Sequence, residues 1–391
     1  MKQPSRRLAS LIVLSIAIGM VATSADAQTG FNADATRQLE TYGEIVYRTY
    51  RDAHRAALEL QKAVEQLIAT PTPATLARAR KAWLATRPSY GRSEAFRFYG
   101  GPIDAGKQDD FGSATGLEGL LNAWPLNEAF IDYVIQGSEP ITAQTLVRKN
   151  ARDDEADVTT GFHAVEFLLW GQDRDPNGPG DRQVSDFVGE GSAQRRRSYL
   201  KVATDLLVEQ LKTLVDAWSP GSPGAPKQQN YRATMLEMQQ ATSVRNMLTG
   251  IATLSGFELA SERLGTALDS GSQEDEQSCF SDNTHVDVLA NAIGIENVYL
   301  GRYDGFEGAG LDQLVAAANP DLARYLAKRL HTTVELARQL DPPFDRTLAS
   351  SEGSPRRARV EALVSSLQIL ADLLKQSAAA LGVPILLGDN D

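Results

Sequence analysis

Gly161-Phe162-His163-Ala164-Val165-Glu166 opens an apolar run that continues through Phe167, Leu168, Leu169 and Trp170 to Gly171-Gln172-Asp173. The run reads as a buried helix, and residues three apart on a helix share one face. An imidazole and a carboxylate therefore point the same way out of greasy surroundings. Burying either without a partner is costly, so a metal ion, a charged protein group or a bound ligand is expected opposite them. Neutral imidazole with a carboxylate suits zinc, iron or copper better than magnesium or calcium. Two donors make no site, and further ligands are sought among Glu94, Asp104, Asp109, Asp110, Glu274, Asp275, Glu276, Asp282 and His285. The plainer alternative is a His–Glu pair that only locks helix packing.

Gly271 to His285 is the second polar concentration. It gathers Glu274, Asp275, Glu276, Asp282 and His285 with no Lys or Arg. Such a loop repels itself unless a cation or an arginine neutralises it, and otherwise it is a solvated acidic loop. Asp282 or Asn283 can cap the helix that follows. The segment Trp83 to Tyr99 mixes aromatics with Arg87, Arg92, Glu94 and Arg97. It either places Glu94 and Arg97 in a cleft or forms core aromatics edged by ion pairs. Asp173-Arg174-Asp175-Pro176-Asn177-Gly178 imitates the start of an EF-hand, but Val184 stands where the bidentate Glu belongs. A turn-rich connector explains it better. H-E-x-x-H, G-x-S-x-G, a phosphate-binding glycine loop and C-x-x-C are all absent from the sequence. Classical zinc-protease chemistry thus lacks its second His and adjacent general base.

The elements that must position these residues read as helices throughout. Ala, Leu, Glu, Gln and Arg recur with a 3.6 period, and alternating β-branched runs are missing. Helices are predicted over 33–69, 73–87, 126–136, 158–171, 192–218, 228–268, 284–300, 309–317, 320–340 and 355–381. Thr72-Pro73 and Asn319-Pro320 look like N-caps followed by first-turn prolines. Pro220 to Pro226 is a break and a candidate domain boundary, and 172–191 is another. Across the break an echo appears at an offset of 168 to 169. Ser93-Glu94, Leu120 to Ala123 and Leu126 to Glu128 answer Ser261-Glu262, Leu289 to Ala292 and Ile295 to Asn297. The expected fold is all-α, two related helical-bundle halves at 28–219 and 227–391, with a functional cleft at their interface.

Lys2, Arg6 and Arg7, the apolar stretch Leu8 to Val21 and Ala25-Asp26-Ala27 read as a signal peptide over 1–27, cleaved near Ala27. The mature chain, with no apparent transmembrane segment, is expected to be exported to the periplasm. The net charge is −11, which argues against nucleic acid and anionic lipid as partners and suits cations or basic partners. Cys279 is the single cysteine, so no internal disulfide forms. Beside Phe280 it is expected to be buried.

Gly161-Phe162-His163-Ala164-Val165-Glu166 resembles the G-x-H-x-x-E motif of the imelysin-like (M75 peptidase) family. Gly271 to His285 resembles the acidic stretch of its iron-regulated protein A branch, and Trp83 to Asp104 resembles a further family block. The resemblance spans about residues 36 to 381. It implies an exported helical protein of two halves whose site lies near the motif helix where they meet. The family takes its name from an insulin-cleaving activity, while other members are tied to iron regulation or are similar to a periplasmic iron-uptake component. Gln277 stands where relatives of this branch are expected to carry His, which would weaken a metal site or require it to be rebuilt.

Three functions follow. The first is metal binding in iron uptake or homeostasis. His163 and Glu166 are its ligands, Glu94, Arg97, Asp104, Glu274, Asp275, Glu276, Asp282 and His285 complete the shell or cleft, and iron, zinc or copper is the cofactor. A periplasmic or outer-membrane iron-uptake partner goes with that reading. The second is a metallopeptidase with Glu94 or Glu166 as catalytic carboxylate. The third is a metal-free protein binding a peptide or small ligand, with His163 and Glu166 paired to an arginine such as Arg97.

Overall fold

The computed structural model describes residues 30–105, 116–221 and 230–387. The expected signal peptide 1–27, Asp109, Asp110 and most of the Pro/Gly break lie outside them. Among the described residues the order is α1 Thr36–Ala69, α2 Pro73–Ser93, α3 Leu117–Leu121, α4 Glu128–Gln136, α5 Ala143–Lys149, α6 Gly161–Trp170 and α7 Ser192–Trp218. There follow α8 Tyr231–Glu237, α9 Gln240–Thr253, a π-helical segment Leu254–Gly265, α10 Thr266–Ser270, α11 Thr284–Leu300, α12 Leu311–Ala318, α13 Pro320–Arg338, α14 Asp345–Leu348 and α15 Pro355–Ala380. The fold is all-α, as expected. No described helix is long and apolar enough to cross a membrane.

The long helices pack in two sets. In the first, α1 lies along α2 and α7, and α6 packs on α7 and α2. In the second, α15 lies along the π segment, α9 and α13, while α11 lies along α13. The sets meet where α2 runs against α11. That approach is close because its glycines carry no Cβ. A Cβ on Gly91 would stand 2.8 Å from the Ala290 Cβ, and one on Gly294 would stand 2.4 Å from the Arg92 carbonyl oxygen.

Local chemistry explains most boundaries. Thr72 accepts from the Thr75 amide and Thr75 returns the bond, a capping box with Pro73 at the first turn. Asn319 caps α13 by accepting from the Leu322 amide, ahead of Pro320. Four expectations need correction. Helix α2 does not stop at Arg87 but runs through Pro88 to Ser93, because Tyr90 and Gly91 are buried, Gly91 against α11, and that packing outweighs the missing N–H. The predicted helix 228–268 breaks at Met238 and changes register over Leu254–Gly265. There Gly256 lets the chain approach α15, with the Ala371 Cβ 2.7 Å from where its own would be. The chain is not wholly free of strands: Arg302–Tyr303 pairs antiparallel with Phe306–Glu307. Asp304 and Gly305 turn this hairpin at φ 38° and 82°, a turn an Asp-Gly pair favours. Finally, the 168-to-169 echo pairs unlike elements. Ser93 ends α2 while Ser261 lies within the π segment, and Leu121 ends the short α3 while Ala290 lies inside α11.

Gly294→Ala should therefore lower stability by about 1–3 kcal/mol through overpacking, read as a reduced urea midpoint. An unchanged midpoint would mean that α2 and α11 sit further apart.

Candidate functional site

All ten residues of α6 are buried. Gly161 opens the helix at φ 83°, and a Cβ there would meet the Leu121 carbonyl oxygen at 2.5 Å, so only glycine fits. The indole of Trp83 donates to the Phe162 carbonyl at 2.9 Å. This anchoring aims His163 and Glu166 at the hairpin 271–283 of the second helix set.

His163 and Glu166 are 1 % and 0 % exposed, and they bind each other. The His163 Nδ1 lies 2.9 Å from Glu166 Oε2. Glu166 Oε1 accepts from the Ser281 amide at 3.0 Å and from its hydroxyl at 2.6 Å. Both carboxylate oxygens are thus engaged. His163 Nε2 has no hydrogen-bond partner, and neither does the indole Nε1 of Trp124. The Trp124 ring meets the imidazole edge to face at 4.9 Å. Burial, with Arg87 and Arg263 adding to it, holds the imidazole pKa well below its usual value. Burial lifts the Glu166 carboxyl to about 8 against the pull of Ser281 and Arg87. The pair therefore carries no net positive charge, and one proton lies along the Oε2–Nδ1 line. With Glu166 protonated, its proton is donated to Nδ1 and the ring's own proton sits on Nε2. Once the pair has lost one proton, Nδ1–H donates to the carboxylate and the Nε2 lone pair is free, so a metal there displaces a proton.

Ser281 is held in place by an ion pair at the α2–α11 contact. Arg87 on α2 forms a buried bidentate pair with Asp287 on α11, Nε to Oδ1 at 2.9 Å and Nη2 to Oδ2 at 3.0 Å. Asp287 also accepts from the Ser278 hydroxyl at 2.5 Å and the Asn283 amide at 3.3 Å. Both lie in the hairpin, so the pair tethers the hairpin to the helix contact.

Glu94, Arg97 and Asp104 fall elsewhere. Glu94 Oε2 accepts from Arg263 at 2.6 Å and from Arg97 at 3.0 Å. Arg97 also faces Glu118 at 3.2 Å, Glu258 at 3.6 Å and Asp104 at 4.0 Å. The π register makes this network possible, since it brings Glu258 and Arg263, five apart, within 2.7 Å. Burial raises the Glu94 carboxyl, but Arg263 and Arg97 outweigh it and hold the group down at about 2. With both arginines on it, Glu94 is poorly placed to act as a general base. Arg97 pairs with these acids, while Glu166 pairs with His163 and Ser281, so the arginine clamp of the metal-free reading is not formed by Arg97.

The acidic hairpin divides. Glu274 is exposed and Asp275 half-buried. The half-buried His285 keeps Nδ1 unpartnered, and burial lowers its pKa. Gln277 is buried, and its carbonyl accepts from Thr284 at 2.6 Å. Cys279 is buried and free, as expected. Glu276 and Asp282 turn toward Asp345 of α14, so they do not complete a shell on His163. Among the described residues, the trio of metal-capable side chains whose ligand atoms converge within 4.8 Å is Asp173, Asp282 and Asp345. Sequence reading missed Ser281, Arg87 with Asp287, Trp124, Glu118, Glu258 and Asp345. Asp287 alone left a signal, as a buried acid in the first turn of a helix whose one other acid is Glu296.

A family model described as Imelysin, Peptidase_M75, matches residues 46–374. The chain is 27 % identical over 318 residues to iron-regulated protein A of Synechococcus elongatus, covering 79 % of this chain and 77 % of that protein. It superposes with a TM-score of 0.70 on a crystal structure from Parabacteroides distasonis, a protein assigned as an iron-regulated protein A precursor. That match is 20 % identical and covers 90 % of this chain and 97 % of the other.

Two outcomes test this geometry. Asp287→Asn leaves Arg87 buried without its counter-charge and should cost about 3–5 kcal/mol in urea unfolding; a loss below about 1 kcal/mol would contradict the tether. The depressed Glu94 carboxyl contributes stability that is present above its unfolded value of 4.5 and lost as pH falls toward about 2, roughly 3 kcal/mol in all. Stability should therefore fall less steeply across that window in Glu94→Gln than in the parent, and equal slopes would refute the assignment.

Proposed function

The chain belongs to the imelysin family, and on that premise we propose that it is an exported, non-peptidase protein that binds a divalent transition metal, iron foremost, at His163. The observation that carries this reading is the buried His163 Nε2 with no partner, on a ring whose other nitrogen is held by a carboxylate that is itself held by Ser281. A carboxylate behind the imidazole fixes ring and tautomer and raises the basicity of the free nitrogen, the usual outer support of a metal-binding histidine. Glu166 is thus the orienting group rather than a second ligand. A borderline metal such as iron, zinc or copper suits this imidazole. Its remaining positions fall to water or to a small chelator arriving with it.

Iron is favoured by the similarity to iron-regulated protein A. Export is supported by the basic, apolar and A-x-A pattern of residues 1–27. The packing of α1 with α2 and α7, and of α15 with α9 and α13, supports dividing the mature chain into halves at 28–219 and 227–391 that meet along α2 and α11. The peptidase alternative needs three protein ligands and a carboxylate free to take a proton. Among the described residues no such trio includes His163, and Glu94 is bound by two arginines.

Anaerobic calorimetry of the mature protein with Fe²⁺ should give one saturable equivalent that His163→Ala abolishes. Glu166→Gln should weaken it about 10–100-fold. Unchanged binding in His163→Ala would overturn the proposal. The protein should leave insulin B chain intact, and chelator-sensitive cleavage lost in His163→Ala would establish the peptidase instead.

A further inference from the structure

A second constellation lies on the other side of the hairpin and is not used by His163. Asp173 comes from the connector after α6, Glu276 and Asp282 from the hairpin, and Asp345 from α14. Asp173, Asp282 and Asp345 each bring a carboxylate oxygen within 4.8 Å of the others. The Glu276 and Asp345 carboxyls face one another at hydrogen-bonding range. The backbone assembles the group. The Gly180 amide of the connector donates to the Phe280 carbonyl of the hairpin at 3.0 Å, and Gln273 donates to Asp173 Oδ2 at 2.6 Å.

Crowded acids alone mean little, since many are simply solvated. These are not. Glu276 is 1 % and Asp345 4 % exposed. Glu276 Oε2, both Asp345 oxygens and Asp282 Oδ1 meet no amide, hydroxyl or cationic donor and face only one another's carboxyls. Among the described residues no arginine or lysine is bonded to any of the four. An unpaired buried carboxylate is among the costliest groups a protein can hold, and here several share one space. Burial and mutual repulsion raise all four, Asp173 to about 6 and Asp282 to about 8.

We propose that Asp173, Glu276, Asp282 and Asp345 form a binding site for a hard divalent cation of the calcium class, separate from His163. The donors are all oxygen, without nitrogen or sulfur, which selects calcium or magnesium over zinc and copper. Two oxygens on opposite sides of a calcium ion, at about 2.4 Å each, stand about 4.8 Å apart. The three converging carboxylates of Asp173, Asp282 and Asp345, with Glu276 at the edge of the group against Asp345, and a few waters fill its coordination of six to eight. Asp173 joins this cage as a single ligand, not through the EF-hand its local sequence imitates. The ion joins the connector, the hairpin and α14, and the hairpin is the segment that carries Ser281 to Glu166.

The test uses the full mature chain, stripped with a chelator and titrated with CaCl₂ by calorimetry and thermal unfolding. One saturable calcium equivalent and a melting temperature raised by several degrees are expected. Asp345→Asn and Glu276→Gln should each abolish the calcium shift. Each substitution is isosteric and replaces a carboxyl that burial drives toward its neutral form, so neither should lower the melting temperature of the calcium-free protein, and a lost response cannot be ascribed to misfolding. His163→Ala should keep the full calcium shift, whatever it does to Fe²⁺. No saturable binding in the parent, a shift undiminished in both carboxylate variants, or its loss in His163→Ala would overturn the proposal.

Discussion

The buried pairing of Arg87 with Asp287 is the interaction on which the site depends. It joins α2 to α11, and so the first helix set to the second. Asp287 also takes the Ser278 hydroxyl and the Asn283 amide, which turns a helix contact into a clamp on the hairpin. The hairpin then delivers Ser281 to Glu166, and Glu166 orients His163. A buried ion pair is not in itself a gain in stability, because desolvation offsets much of its attraction. What it supplies here is register: the guanidinium fork accepts only one placement of the α11 carboxylate, and the Trp83, Tyr90 and Phe162 rings enclose that fork.

The same economy of polar contacts explains the π segment. An ordinary α-helical register would not set residues five apart on one face. The wider turn aligns Glu258 with Arg263, which then bonds Glu94 and Asn291. Two arginines among Glu94, Glu118, Glu258 and Asp104 leave the interface acidic yet internally paired. The carboxylates around Asp345 have no arginine or lysine partner among the described residues. One hairpin thus borders two chemically different places, an imidazole with a free nitrogen and a cage of oxygens.

Much of this was legible in the sequence. The spacing of His163 and Glu166 on an apolar helix gave their shared face and their burial. Helices such as 192–218 and 284–300 follow from periodicity, and the capped starts at Thr72 and Asn319 follow from turn chemistry. The partners were not legible, because they are long-range. Ser281 lies 115 residues from Glu166, and Asp287 lies 200 from Arg87. The acids of the hairpin were visible, but their direction was not. It is set by Asp345, which nothing local distinguishes from a surface aspartate. Pro88 misled for the opposite reason, a local rule overridden by packing at Gly91.

The central claim is that Glu166 holds the His163 ring so that Nε2 takes the metal. Crystals grown anaerobically with Fe²⁺ and measured at the iron absorption edge address it directly. An anomalous peak about 2 Å from His163 Nε2 is predicted, with Nδ1 still on Glu166 and Glu166 still on Ser281. Iron seated on the Glu166 oxygens with Nε2 bare, or found only among Asp173, Glu276, Asp282 and Asp345, would contradict it.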